Sequence, residues 1–288
     1  MKHLQQFINS ELLIAPGELR SLMALITPAV VGGRLSEAAK LLEGKGIELL
    51  ATSTPWAPAL RDYSQGDTQP GPDSTVVVVR MSGMLYSWDT AYLIDVLREL
   101  EVNPAVIGVV LSIDGPGGEA TGVDVAASIV RNFSKPVATV VRGHMCSAHY
   151  WIGSSAHIVF AESDICSIGC VGVMTDFLSF KEYFAKLGIK EYEVYATGSD
   201  LKNREIRDLV DNDDEAPLRA RLDKLNEIFC KAVAGNLGIA YDPESEIFRG
   251  RTFITAEAVA NGMVARKGTL TEAIQWVYGT AVSDKTKE

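Results

Sequence analysis

The chain has 288 residues, 47% of them apolar, and a formal net charge of −10. That length and apolar share suit a globular protein with one large domain or two modest ones. The acidic balance, with no Lys/Arg block and no basic helix face, excludes a nucleic-acid partner held through phosphates. Four cysteines, Cys146, Cys166, Cys170 and Cys230, make no disulfide framework in a chain this long and read as free buried thiols in a reducing compartment. Cys166 and Cys170 have only His157 nearby, so no metal site is expected.

Residues 1–50 read as a helical N-terminal extension, with Leu and Ala three and four apart from Glu18 to Ile26 and from Leu35 to Leu42. Gln5, Gln6, Asn9 and Glu11 interrupt any signal-peptide core, and no stretch reaches the roughly 18 apolar residues of a membrane span. Residues 51–75, rich in Thr, Ser, Pro, Gly and Asp, read as an exposed linker. A domain over 76–280 follows. Val76–Met81 is a β-branched strand ending in a turn at Gly83, and Asp89–Leu100 is an amphipathic helix carrying Tyr92, Leu93, Val96 and Leu97 on one face.

Val106–Ile113 supplies the next strand. Gly115, Pro116, Gly117 and Gly118 then predict a tight turn before a helix over Val123–Asn132. Paired glycines let backbone approach a ligand closely and present N–H donors. Val137–Val141 is a buried strand, and a small-residue run from Gly143 reaches Ser147 just before a helical segment at Tyr150–Ile152. A serine there is ordinarily a helix N-cap. Its place between a buried strand and a helix also suits a nucleophile, because the helix start offers free N–H groups to an oxyanion. With the Ile158–Ala161 strand, the β–α alternation predicts an α/β fold with a parallel sheet. Both Gly118 and Ser147 fall at carboxyl ends of strands, where ligands bind in such sheets.

Two glycine- and serine-bearing strand ends in succession suit acyl transfer, and they carry a resemblance. Ile113–Gly118 (IDGPGG) resembles the D-S-P-G-G motif of the S49 peptidases, the signal peptide peptidase family that includes phage prohead proteases. Gly143–Val173 resembles that family's nucleophile segment, with Ser147 on the nucleophile, Tyr150 on its aromatic and Gly169–Val173 on its last motif. Ala148 and His149 replace two glycines, Cys146 an alanine and Cys170 a serine. The match runs from about Val76 to Ile274 and implies a ClpP/crotonase-like fold of repeated ββα units. Ile14, Pro16 and Leu19 resemble a short segment of the phage enzymes' N-terminal extension.

A serine hydroxyl needs a base. The four histidines are His3, His144, His149 and His157. His149, two residues on, does not face Ser147 on a helix, and a triad remains only through His144 or His157. The resemblance instead implies a Ser–Lys dyad. Lys202, after an expected Tyr192–Ala196 strand, matches the family lysine, and Lys190 is the fallback. Arg204 and Arg207 are unsuited because guanidinium keeps its proton. The acidic run Glu205–Glu215 reads as a solvated helix start, and Leu218–Leu237 as an amphipathic helix burying Leu222, Leu225, Ile228, Phe229 and Val233. Arg249–Trp276 resembles the family's C-terminal motif, with Ala265 in place of an aspartate. Residues 281–288 read as a disordered tail.

The reading is a serine endopeptidase in which Ser147 attacks and Lys202 is the base, with the N–H groups of Gly118, Ala148 or Gly117 as oxyanion hole and no cofactor or metal. Its expected partners are protein or peptide substrates, phage capsid and scaffold proteins first, paired against a strand edge near Gly169–Val173. A ring-shaped homo-oligomer is expected, in the host cytoplasm or prohead, with no membrane span. The alternatives are a bacterial cytoplasmic signal-peptide or general peptide hydrolase of the same family, and an inactive crotonase-like assembly protein.

Overall fold

The computed structural model describes residues 12–14, 46–52, 61–62, 75–176, 179, 181–190 and 192–285. Its elements in chain order begin with β1 (Leu12–Ile14), β2 (Ile47–Thr52), β3 (Arg61–Asp62) and β4 (Thr75–Leu85). Then come α1 (Ser87–Val102), β5 (Val106–Glu119), α2 (Val123–Arg131), β6 (Val137–Cys146), α3 (Ala148–Ser154), β7 (Ile158–Ala161) and β8 (Ser167–Gly169). The C-terminal part holds α4 (Lys181–Lys186), α5 (Arg204–Asn212), α6 (Ala216–Leu237), a 3₁₀ turn (Glu246–Phe248), β9 (Thr252–Phe253), α7 (Thr255–Ala260), β10 (Arg266–Lys267) and α8 (Leu270–Lys285).

The main sheet runs β10–β7–β6–β5–β4–β2–β3. The links from β4 through β5, β6 and β7 to β10 are parallel, and β2 adds antiparallel to β4. This is the α/β class and ββα plan expected of the sequence. The β-branched runs have a simple cause: both sheet faces are buried. Along β4, Val77, Val79 and Met81 enter the core shared with α1, α2, α3 and α6. Val76 and Val78 enter a second core under α8, with Ile274 and Val277. A strand covered on both sides needs apolar residues at every position rather than alternate ones.

Several boundaries differ from the sequence reading. Of the expected helical extension over 1–50, residues 12–14 and 47–50 are strand, Gly46 is outside any regular element, and the others lie outside the described residues. Of the expected linker over 51–75, residues 51–52, 61–62 and 75 are strand. Gly83 is a bulge inside β4, at a register shift, rather than a terminating turn. The glycine run is no turn either, because β5 continues as strand to Glu119. The cause is close approach, since a Cβ on Gly118 would lie 1.8 Å from the Leu85 carbonyl oxygen. Only glycine lets the strand pass there. The run Gly143–Cys146 likewise extends β6.

Residues 192–196 form no strand and are largely exposed. On α6, Phe229 and Val233 are buried as expected, whereas Ile228 is 56% exposed. Residues 281–285 are helix, continuing α8, with Ala281 buried rather than in a loose tail. All four cysteines are buried, and none is in a disulfide. Among the described residues, no helix is long and apolar enough to cross a membrane.

Candidate active site

The candidate nucleophile stands where β6 stops. Ser147 has φ 54° and ψ −117°, a conformation that costs a residue with a side chain of order 1–3 kcal/mol. It is fully buried. The capping role a serine ordinarily plays here is absent, for Ser147 makes no side-chain cap hydrogen bond to α3. Its Oγ donates instead to the Gly172 carbonyl at 3.4 Å, and its N–H to the Gly169 carbonyl at 2.7 Å. The strain is held by these bonds and by α3 behind it. Tyr150, wholly buried, donates to the Met263 carbonyl at 3.1 Å. Trp151 stacks on Phe229 of α6 at 4.7 Å, and Asn236 of α6 donates to Ser154 and Ser155 at 3.1 and 2.9 Å.

The glycine-rich end of β5 forms the facing wall. Gly115 pairs with Met145, two residues before Ser147, and β6 ends at Cys146. Gly117 sits at φ 115°, which suits glycine alone. Its N–H donates to Nδ1 of His149 at 3.1 Å. One of the three expected oxyanion donors is therefore already engaged, while Ala148 follows Ser147 at the start of α3 and Gly118 pairs with Leu85 of β4. Glu119, also buried, accepts from the Ser87 N–H at 2.7 Å and fixes the strand end to the start of α1. A carboxylate there complements the helix dipole.

The histidines do other work. Burial pushes the His149 imidazole down to about 4, against a smaller opposing pull from Asp114. The ring is thus neutral, with Nδ1 accepting from Gly117 and the proton on Nε2. His157 accepts from Val137 N–H at 3.0 Å. That is the far end of β6, about 30 Å from Ser147 at the usual strand rise. His144 contacts Asp114 through Nδ1 at 3.2 Å in an exposed pair, and His3 lies outside the described residues. Burial, with Cys146 beside it, raises the Cys170 thiol to about 12, so that sulfur stays protonated at neutral pH.

Lys202 is placed quite differently. It lies in an exposed turn, its N–H donating to the Ser199 carbonyl at 3.1 Å. The turn is tied to its own neighbourhood: Arg207 stacks over the Tyr195 ring at 4.5 Å and donates to the Asp200 carbonyl. No hydrogen bond links Lys202 to Ser147 among the described residues, and Lys190 is equally exposed. The segment Gly169–Val173 is less open than expected. Gly169 lies between β6 and β9. Cys170 and Val171 bond to Arg251 and Gly250, and Val173 donates to Asn226 at 3.1 Å. A cleft of about 470 Å³ opens beside Gly172 and Val173, bounded by Leu222, Asn226 and Tyr241.

Sequence reasoning did not foresee the parts played by His149, Glu119 and Gly172. His149 and Glu119 each act across about thirty residues of chain, on Gly117 and Ser87, and no local pattern signals such a contact. An uncapped serine at positive φ between a sheet strand and a helix, in a fold whose neighbouring strand end is glycine-rich, has geometry suited to a nucleophile in acyl transfer.

A model of peptidase family S49 matches residues 130–281, just over half of the chain, and the chain belongs to that family. Capsid assembly protease C of Escherichia phage lambda is 26% identical over 179 residues, which are 59% of this chain and 40% of the phage protein. The putative protease MJ0651 of Methanocaldococcus jannaschii is 26% identical over 189 residues, 65% of this chain and 60% of that protein. The chain thus spans less than two thirds of the length of these curated relatives. Among solved structures, a mutant form of the membrane-bound stomatin-specific protease 1510-N aligns with a TM-score of 0.44 at 15% identity. That alignment covers 68% of this chain and 80% of the other.

Proposed function

We propose that the chain is a serine endopeptidase whose nucleophile is Ser147. The observation that carries this is the backbone of Ser147: a strained, uncapped serine, buried beside a strand whose glycines cannot be replaced. Ser147 Oγ attacks the scissile carbonyl and its proton passes to neutral Lys202, which returns it to the leaving amine. The backbone N–H groups of Gly118 and Ala148 stabilise the oxyanion.

A lysine acts as a base only once desolvation has lowered its pKa, and Lys202 is exposed in the single chain. The apolar residues around it point to what covers it: Tyr183, Phe184, Leu187, Ile189, Tyr192 and Val194 are all at least 44% exposed. A neighbouring protomer in a ring-shaped homo-oligomer would bury this segment and bring a lysine to each serine. Membership of S49 and the likeness to a phage capsid assembly protease favour capsid and scaffold proteins as substrates, in the prohead or host cytoplasm. A cellular peptide hydrolase is the second reading, favoured by the likeness to the archaeal putative protease.

The test is hydrolysis of casein and of a purified capsid or scaffold protein by the assembled enzyme. Cleavage lost in Ser147→Ala and in Lys202→Ala supports the dyad. Cleavage unchanged in Ser147→Ala overturns the nucleophile assignment.

A further inference from the structure

The outer edge of the glycine-rich strand already carries a peptide, and it is the chain's own. β1 pairs antiparallel with the end of β5, with Leu12 opposite Glu119, Leu13 opposite Gly118 and Ile14 opposite Gly117. One edge of β5 at these residues belongs to β4, through Met84–Gly117 and Leu85–Gly118. β1 must therefore lie on the other edge, in the lane that β6 occupies up to the Gly115–Met145 pair and leaves at Ser147. Ile14 is thus the sheet partner of the same Gly117 whose N–H reaches His149, two residues after Ser147. Leu13 is the partner of Gly118, the proposed oxyanion donor.

We propose that the open edge of Gly117–Glu119 is a docking strand for extended apolar peptides, and that Leu12–Ile14 is its resident ligand, held in cis over the nucleophile. A substrate reaching Ser147 in extended form would need main-chain pairing along this edge, and so must displace β1. A second observation agrees: Ser147 has no exposed surface in the single chain, so something must leave before a carbonyl can reach its Oγ. The resident sequence, Leu-Leu-Ile, gives the class of competitor, an uncharged apolar segment that forms strand readily. The apparent reactivity of the serine then scales with the fraction of molecules in which β1 is released. The plugging step rests on Ser147 being the nucleophile, whereas the docking itself does not.

The experiment compares the full chain with Leu13→Pro, which removes a strand N–H and fixes φ, and with Leu13→Ala, which keeps the main chain intact. Amide hydrogen exchange at residues 12–14 and 118–119 should show protection in the wild type and in Leu13→Ala, and its loss in Leu13→Pro. A synthetic peptide of residues 10–16 should restore protection at 118–119 in Leu13→Pro. Labelling by a fluorophosphonate should be about tenfold faster in Leu13→Pro, the factor expected if about a tenth of wild-type molecules are open, and the peptide should slow it again. Unprotected amides in the wild type, or no response of Leu13→Pro to the peptide, would overturn the docking. Equal labelling rates in a Leu13→Pro protein whose amides have opened would overturn the plug. If no form is labelled, the assignment of Ser147 fails, and the exchange arm still decides the docking.

Discussion

The two residues of the proposed dyad stand in opposite surroundings. Ser147 is buried, its backbone bonded to Gly169 and its helix locked by Tyr150, Trp151 and Asn236. Lys202 stands in an exposed turn, and neither α4 nor α5, the helices flanking it, has a buried residue. A nucleophile must be in place before substrate arrives, and pre-organisation of this kind needs a dense core around it. A lysine base needs desolvation, and in the single chain it has none. The contrast teaches that the single chain holds Ser147 rigidly and leaves Lys202 in solvent, so the proposed dyad needs assembly to complete its base.

Mutations at the two ends should therefore behave differently. Ser147→Ala is expected to lower peptide hydrolysis by at least about a thousandfold, measured as initial rates on the assembled enzyme. Lys202→Ala should lower the same rates by about 10²–10⁴, yet leave the unfolding free energy of the single chain in urea within about 0.5 kcal/mol of wild type, as for other exposed side chains. Lys190→Ala should change neither. A rate that falls as far in Lys190→Ala would move the base to that residue.

Gly118→Ala probes the wall rather than the serine. Its methyl would sit 1.8 Å from the Leu85 carbonyl oxygen, so β4 and β5 must part, at a cost of about 3 kcal/mol or more. Thermal unfolding should show it directly. A neighbouring effect depends on pH. The His149 imidazole, with an ordinary value of 6.5, is held at about 4 by burial. Between those values the unfolded chain binds a proton that the folded chain refuses. The stabilisation is complete above about pH 6.5 and falls by up to about 3 kcal/mol as pH approaches 4. Urea titrations across that window should show the slope in wild type and a flatter one in His149→Gln. The smallest effect isolates the strain at the elbow. Ser147→Gly should be more stable than Ser147→Ala by about 1 kcal/mol, since glycine accepts φ 54° without penalty.

Much of this could be read from residues alone. The β-branched runs at Val76, Val106 and Val137 announced strands because burial on both faces leaves an unbroken apolar signature. Ser147 and the glycines of Ile113–Gly118 stood out because their chemistry is concentrated in a few neighbouring positions. What the sequence hid was non-local or context-dependent. Gly115–Gly118 looked like a turn because glycine permits turns and close approach alike, and only the Leu85 carbonyl decides between them. The Tyr192–Ala196 run has strand composition without a strand to pair with, and composition cannot supply a partner. The grip of His149 on Gly117 joins residues 32 apart and leaves no local trace.

The most direct test of the account is to label the full chain with a fluorophosphonate and locate the adduct by peptide mass spectrometry. The account predicts a single adduct on Ser147, absent from Ser147→Ala. An adduct on any other serine, or equal labelling of Ser147→Ala, would contradict it.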